Sequence, residues 1–249
     1  MPGSLSTNVG SKKTIDVTVI GGAGHVGFPL CLAVAAVGKR VLMLDIDKNA
    51  INNVSQGEIP HMEADADAEL RLALNDGMIE FSSDYADIPS DSVVILTIGT
   101  PIDEFLNPEY QAIRSCVDEI LPFLHDGQLL ILRSTIYPGT TDWLDNYLKK
   151  RGRRLLLAFC PERVVQGHAL NELRTMPQLI SATTPEAEEA AAILFESLAS
   201  KVVRMTTKEA EFGKLFSNAY RYIEFAAANQ FYMIANAAGV DFYKIHSAV

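Results

Sequence analysis

Cysteine is scarce in this chain: three residues, Cys31, Cys116 and Cys160, among 249. An odd number without paired spacing excludes a disulfide framework and offers no zinc-ligand pattern. The five histidines show no ligand spacing either, so no metal is expected. Cys31 and Cys116 fall in helical runs and read as packed thiols. Long apolar runs are also missing. None is long enough to span a bilayer; residues 223–240 come nearest, and Glu224, Asn229, Gln230 and Asn236 interrupt them. Residues 1–13 are polar, lack the hydrophobic centre of a signal peptide, and read as a disordered leader. The expected compartment is the cytoplasm. Positive charge is the minority sign, with 21 Lys and Arg against 31 Asp and Glu and a formal net charge of −10. That balance argues against nucleic acid or an anionic membrane as a partner.

What is present is enough for a full core. Apolar residues make up 48% of a length that suits one or two domains. Strand patterns recur at 15–20, 40–44, 78–81, 92–98, 129–133, 155–159, 178–181 and 202–205. Helical patterns fall at 25–37, 48–55, 66–75, 109–123, 141–151, 185–199 and from 207 onward. Continuous apolar strands such as Val93-Val94-Ile95-Leu96 suit a parallel sheet covered on both faces. The fold class is therefore α/β, a doubly wound, mostly parallel, Rossmann-like sheet over residues 14–205.

The last segment differs. From Thr207 to about Ala238 there is no proline, and Gly213 is the only glycine. Thr206 and Glu209 have capping-box spacing. At about 1.5 Å per residue such a helix spans roughly 45–50 Å, too long to cover one sheet. It reads as the start of a helical dimerisation unit over 206–249, and a homodimer through this helix is expected. Asp241 can cap a short final helix over 242–248.

The most informative segment is a glycine-rich turn after the first strand. Gly22, Gly24 and Gly27 form G-x-G-x-x-G between a β-rich run and an apolar helical run. Gly22 suits a tight turn, Gly24 the approach of a pyrophosphate to the backbone, and Gly27 close packing of helix on strand. The first-turn N–H groups then face the phosphate charge. About 20 residues on, the second strand pattern ends in Asp45. A carboxylate there accepts hydrogen bonds from the ribose hydroxyls and repels a 2′-phosphate, so the expected cofactor is NAD rather than NADP.

Ligands in open parallel sheets sit beyond the carboxyl ends of the strands. Three polar clusters lie there: Gly99 to Asp103, Ser134 to Thr141, and Cys160 to Gly167. Taken singly, Thr100, Asp103 and Thr140 suit ordinary turns and caps equally well. A fourth cluster lies on the long helix, where Glu211, Lys214, Asn218 and Arg221 fall within an arc of roughly 80° at about 100° per residue. A lysine so placed can hold an alkoxide or oxyanion, and the amide one turn on can fix an oxygen.

Together these segments resemble the UDP-glucose/GDP-mannose dehydrogenase family. The resemblance is carried by residues 22–30, Gly99-Thr100-Pro101, Arg133-Ser134-Thr135 with Tyr137-Pro138-Gly139-Thr140-Thr141, Cys160-Pro161-Glu162-Arg163 with Gly167 and Glu172-Leu173, and Glu211-Phe212-Gly213-Lys214 with Asn218-Ala219-Tyr220-Arg221. Pro-Glu-Arg-Val at 161–164 looks like the branch acting on N-acetylhexosamines. The resemblance implies oxidation of a UDP-sugar C6 alcohol to a carboxylate with two NAD. It implies backbone contacts of His25 and Val26 with the pyrophosphate, with Thr100 and Thr135 lining the cofactor. Glu162 would position or activate a water. Arg163, Val164, Asn218 and Arg221 would touch the nucleotide sugar, and Lys214 would serve in proton transfer and oxyanion stabilisation.

Three departures accompany the resemblance. Gln166 stands where UDP-glucose enzymes carry a second glutamate, and His25 where the family often has tyrosine. The family's cysteine nucleophile belongs to a glycine-rich segment beyond the long helix, and its C-terminal UDP-binding domain follows; neither is found here, so a fragment or truncated product, inactive alone, is expected. Cys160 is not at the nucleophile position and reads as a packed or lining thiol. Two other readings stay open: a two-electron β-hydroxyacid dehydrogenase, which shares the Gly-x-x-Lys-x-x-x-Asn helix, and a non-catalytic NAD-binding module.

Overall fold

A computed structural model of the chain describes residues 14–99 and 110–249. The expected leader and the candidates Thr100 and Asp103 lie outside the described residues. Eight strands form one sheet in the order β3-β2-β1-β4-β5-β6-β7-β8. They are β1 (Val17–Ile20), β2 (Val41–Leu44), β3 (Ile79–Ser82), β4 (Val93–Leu96), β5 (Leu129–Leu132), β6 (Leu156–Phe159), β7 (Gln178–Ala182) and β8 (Val202–Arg204). The first six run parallel; β7 turns antiparallel to β6, and β8 follows β7. This is the doubly wound order expected, extended at one edge.

The central strands are almost wholly apolar because helices cover both faces; Thr18 in β1 is buried with its hydroxyl on Ser92. On one face, α1 (Gly27–Ala36), α3 (Ala66–Asn75), α6 (Ala169–Thr175) and α7 (Pro185–Glu196) share a core with Val17, Val19, Met43, Ile95 and Ile131. On the other, α4 (Tyr110–Ile120), α5 (Thr140–Lys150) and the start of α8 (Thr207–Ala237) close over Ile20, Leu44, Leu96, Leu132 and Phe159. Helix α2 (Lys48–Ser55) starts on Asp47, whose carboxylate accepts from Asn49 and Ala50. The helix over 141–151 begins one residue earlier than the pattern places it, and α1 begins two residues later.

Helix α6 was not foreseen. It has only seven residues, and its N-terminal amides are satisfied from a distant loop: Glu63 accepts from Gly167 N at 3.2 Å and Leu170 N at 3.0 Å. A short helix capped from 107 positions away leaves no local start signal.

Helix α8 is 31 residues long and opens with the expected capping box on Thr206 and Glu209. Its first two turns pack against the sheet, with Ala210, Glu211 and Lys214 buried. Beyond them the helix carries exposed Phe216, Ile223, Phe225, Phe231 and Ile234. Helix α9 (Phe242–Ala248), capped by Asp241, folds against its far end and leaves an apolar groove of about 650 Å³.

Candidate functional site

The glycine turn is shaped by what lies behind it. Gly21, not Gly22, takes the left-handed conformation, with φ of +79°. A Cβ on Gly22 would instead meet Met43 Cγ at 2.6 Å and Val19 O at 2.9 Å, so Gly22 is needed for the turn to lie on the neighbouring strand. Gly27 is the tightest position: a Cβ there would sit 2.1 Å from Gly21 O. Helix α1 can thus begin directly on the turn, as the fingerprint requires. At Gly24 a Cβ would approach only Gly21 O, at 3.2 Å, and otherwise open space. Its lack of a side chain leaves room on the outer face, where a dinucleotide pyrophosphate reaches the backbone. No side chain caps α1; Phe28 N already donates to Gly24 O at 2.9 Å and Pro29 has no N–H, so the amides left for an anion are those of the turn just before, at His25, Val26 and Gly27.

Asp45 lies against this turn. Its Oδ2 accepts from Ala23 N at 3.1 Å and its Oδ1 from Asp47 N at 3.1 Å. The carboxylate is half-buried, with lone pairs left for ribose hydroxyls. Thr97 completes the frame by donating from Oγ1 to Ile20 O at 2.8 Å. The residues present therefore fit NAD: an uncapped helix start, a cleared backbone at Gly24 and a carboxylate one strand over.

His25 and Val26 stand at the mouth of the turn. The His25 ring stacks on His61 with centroids 3.5 Å apart, and His25 Nδ1 lies 2.7 Å from Gln166 Nε2. His61 Nε2 in turn reaches Ala23 O at 3.1 Å. Burial and the facing His25 ring hold His61 below the usual imidazole range, against the hydrogen bond to Ala23 O. The loop before α3 is thus strapped across the turn and onto the loop after β6. His61 and Glu63 carry no local signal of this role, because both act on partners more than 35 positions away. Gln166 is used to hold His25.

The loops after β5 and β6 meet the start of α8. Thr135 is half-buried in the first of them, and Ser134 donates from Oγ to Ile98 O. Glu162 is buried, with Oε2 on Arg133 Nη2 at 2.5 Å and Oε1 accepting from Arg163 N at 2.7 Å and Val164 N at 2.9 Å. Both oxygens are engaged, so the geometry gives Glu162 a holding role rather than that of a free base. The carbonyls of Arg163 and Val164 face Arg221, whose guanidinium donates to Arg163 O at 2.9 Å and Val164 O at 3.4 Å. The Arg163 guanidinium donates to Pro177 O, tying the loop to the start of β7.

The seam on α8 divides in two. Glu211 is fully buried and turned away from the cleft: Oε2 accepts from Gly139 N at 2.6 Å, and Oε1 from Thr141 N at 2.9 Å and Thr141 Oγ1 at 2.7 Å. It caps α5 from outside, where a negative charge suits the helix dipole. Lys214, by contrast, is 8% exposed, and its charge is acted on by Glu162 and by the guanidinium groups of Arg221, Arg133 and Arg163. Burial first, then these three cations, bring its ammonium down to about 8, with Glu162 opposing. Asn218 lies one turn on, half-buried. Cys160 is fully buried, and burial pushes its thiol up to about 12, so it carries no ready thiolate. Among the described residues there is no group of three or more His, Cys, Asp or Glu that could hold a metal, and no helix is long and apolar enough to cross a membrane.

Comparison with known proteins places this geometry. The chain is 30% identical over 94% of its length to the NDP-N-acetyl-D-galactosaminuronic acid dehydrogenase of Ralstonia nicotianae, covering 57% of that protein. It is 29% identical over 90% of its length to the UDP-N-acetyl-D-mannosamine dehydrogenase of Methanocaldococcus jannaschii, covering 52% of it. The chain thus spans about half the length of the curated relatives it matches. The solved UDP-D-ManNAc dehydrogenase of Pyrococcus horikoshii superposes with a TM-score of 0.82 at 26% identity, over 93% of this chain and 56% of that one. Residues 15–199 match the model for the NAD binding domain of the UDP-glucose/GDP-mannose dehydrogenase family. With its glycine turn, Asp45 carboxylate and doubly wound sheet, this chain belongs to that family and carries its NAD-binding domain.

Proposed function

We propose that the chain is the cofactor-binding part of an NAD-dependent UDP-sugar 6-dehydrogenase acting on an N-acetylhexosamine, with UDP-N-acetyl-D-mannosamine as substrate and two NAD per turnover. The observation that carries this reading is Lys214, an ammonium buried at the sheet's ligand end and lowered to about 8. NAD⁺, when bound, accepts hydride from the sugar carbon. Hydride leaves an alkoxide more readily than an alcohol, so the hydroxyl proton must go to a nearby base. In its neutral form the Lys214 amine takes that proton; in its charged form it stabilises the oxygen. The Asn218 amide fixes the same oxygen. Arg163, Val164 and Arg221 form the wall against which the nucleotide sugar lies, and Glu162 fixes that wall. The amides of His25 and Val26, past Gly22, Gly24 and Gly27, would hold the pyrophosphate, with Thr135 beside the cofactor. Support for the sugar comes from the names of the relatives and from Pro161-Glu162-Arg163-Val164.

A homodimer through α8 belongs to the same proposal. Phe216 is 67% and Phe231 62% exposed on a helix that projects beyond the sheet. Contiguous apolar surface of this kind marks an interaction face. Light scattering should give twice the 27.2 kDa chain mass; a monomer at high concentration would set the dimer aside. The functional reading is tested by calorimetric titration with NAD⁺ and NADP⁺, and by nicotinamide absorbance with UDP-N-acetylmannosamine and UDP-glucose. NAD⁺ preference, with any reduction confined to the N-acetylated sugar, is expected. NADP⁺ preference, or reduction with UDP-glucose alone, overturns it.

A further inference from the structure

Arg133 is the largest fully buried side chain among the described residues, and it sits where β5 delivers the chain to the ligand end of the sheet. Its Nη1 donates to Cys160 O at 3.1 Å and to Gln178 Oε1 at 3.1 Å, and its Nη2 pairs with Glu162 at 2.5 Å. Its guanidinium carbon lies 5.1 Å from the centre of the Phe195 ring. Three strand ends, those of β5, β6 and β7, are therefore pinned by one cation. Its Nε has no hydrogen-bond partner. A buried ion pair with an unpaired N–H is poor value as a stabilising device, since apolar side chains of similar volume often do as well or better. Its retention points to a task other than holding the fold.

The hydrogen bonds show that task. Arg133 holds one Glu162 oxygen; the other holds the amides of Arg163 and Val164; the carbonyls of those two residues hold Arg221 on α8. Lys214 is buried two turns before Arg221 on the same helix, and Glu162 acts on its charge. We propose that Arg133 is a positioning residue for Lys214: it neutralises and fixes Glu162, and through that carboxylate sets the register between the 162–164 loop and α8. This rests on the functional reading of Lys214 given above. Without Arg133, Glu162 would be a bare anion beside the ammonium and would keep it charged, unable to accept a proton. The groups acting on Lys214 are Glu162 from the loop after β6, Arg133 from the end of β5, Arg163 from the same loop as Glu162, and Arg221 from its own helix.

The test reads the lysine directly on the 249-residue chain, with no cofactor or substrate. Lys214 acetylation by acetic anhydride is followed from pH 6.5 to 10.5 by mass spectrometry of its peptide. Arg133→Met should move the reactivity midpoint up by about one pH unit, a roughly tenfold loss of reactivity near pH 7. Arg133→Lys, which keeps the charge, should stay close to the parent. Glu162→Gln should move the midpoint down. If Arg133→Met does not fold, Arg133→Gln, a neutral side chain that keeps hydrogen-bonding groups and leaves Glu162 in place, is used instead, and its midpoint should rise likewise. A midpoint unmoved by loss of Arg133 in a folded protein overturns the proposal, as does an equal shift in Arg133→Lys. NAD⁺ titration of the parent chain is independent of this readout, so failure of the cofactor reading and failure of this one are told apart.

Discussion

The amide of Ala23 donates to the carboxylate of Asp45 across 3.1 Å, joining the glycine turn to the end of the neighbouring strand. One residue thereby shapes the turn and, in the proposed function, offers its charge to the ribose. Asp45→Ala should weaken NAD⁺ binding by about 1.5–3 kcal/mol, the range for hydrogen bonds to a charged group, or roughly 10- to 150-fold in Kd. Asp45→Asn keeps an acceptor for Ala23 but removes the charge, so it should lose less NAD⁺ affinity and gain NADP⁺ affinity. Calorimetry with both nucleotides measures this. Unchanged NAD⁺ affinity in Asp45→Ala would take the residue out of the site.

The glycines separate fold from function. Gly27→Ala puts a methyl group 2.1 Å from Gly21 O, a backbone atom that cannot swing away. Helix α1 would have to shift, and a loss of about 3 kcal/mol or more is expected, at the upper end for overpacking. Gly24→Ala meets only Gly21 O at 3.2 Å. It should change stability by under about 1 kcal/mol, yet lower NAD⁺ affinity sharply by standing where the pyrophosphate approaches. Thermal unfolding and NAD⁺ titration of the two variants should give opposite patterns.

Much of this was legible in the sequence because the signals are local. The turn from Gly22 to Gly27, Asp45 at a strand end, and the Thr206–Glu209 capping box all fall within short windows. The continuous apolar strands announced the sheet. What stayed hidden acts at long range. Arg133 has the character of a strand-end residue, and nothing in its neighbourhood shows that it meets Glu162 and Gln178, 29 and 45 positions away. Glu211 shares the face of Lys214 by helical spacing, yet the two diverge once α5 is packed beside the helix. The period of 3.6 places side chains on one face; it does not say which neighbour each will find.

Glu211 offers a clean measure of such a long-range cap. Its carboxylate accepts three hydrogen bonds at the start of α5, 70 and 72 positions away, with no access to water. Glu211→Ala leaves the buried amide and hydroxyl of Thr141 and the half-buried amide of Gly139 without their acceptor, so a loss of roughly 2–4 kcal/mol is expected. For a chain of this size that is a fall of about 4–15 °C in Tm. Glu211→Gln, which keeps one acceptor oxygen, should recover part of it. Calorimetric unfolding of both variants checks the order; equal stability of parent and Glu211→Ala would refute the anchoring role.

Lys214 makes the opposite prediction: removal of the proposed proton acceptor stabilises. Lysine titrates ordinarily at 10.5 and here at about 8. Between these values the unfolded chain holds a proton that the folded chain does not, so stability rises with pH from about 8 to about 10.5. Below 8 both states are charged, and the folded state bears the whole penalty of an ammonium that is 8% exposed. Lys214→Met should therefore be more stable than the parent at pH 7, by on the order of 2–3 kcal/mol. The gain should shrink as pH rises and be gone above about 10.5, where both states of the parent are neutral. Denaturant unfolding of both proteins from pH 7 to 10.5 gives the difference directly. A constant difference across that range would mean that packing, not charge, separates them, and would withdraw Lys214 as a proton acceptor poised near neutrality.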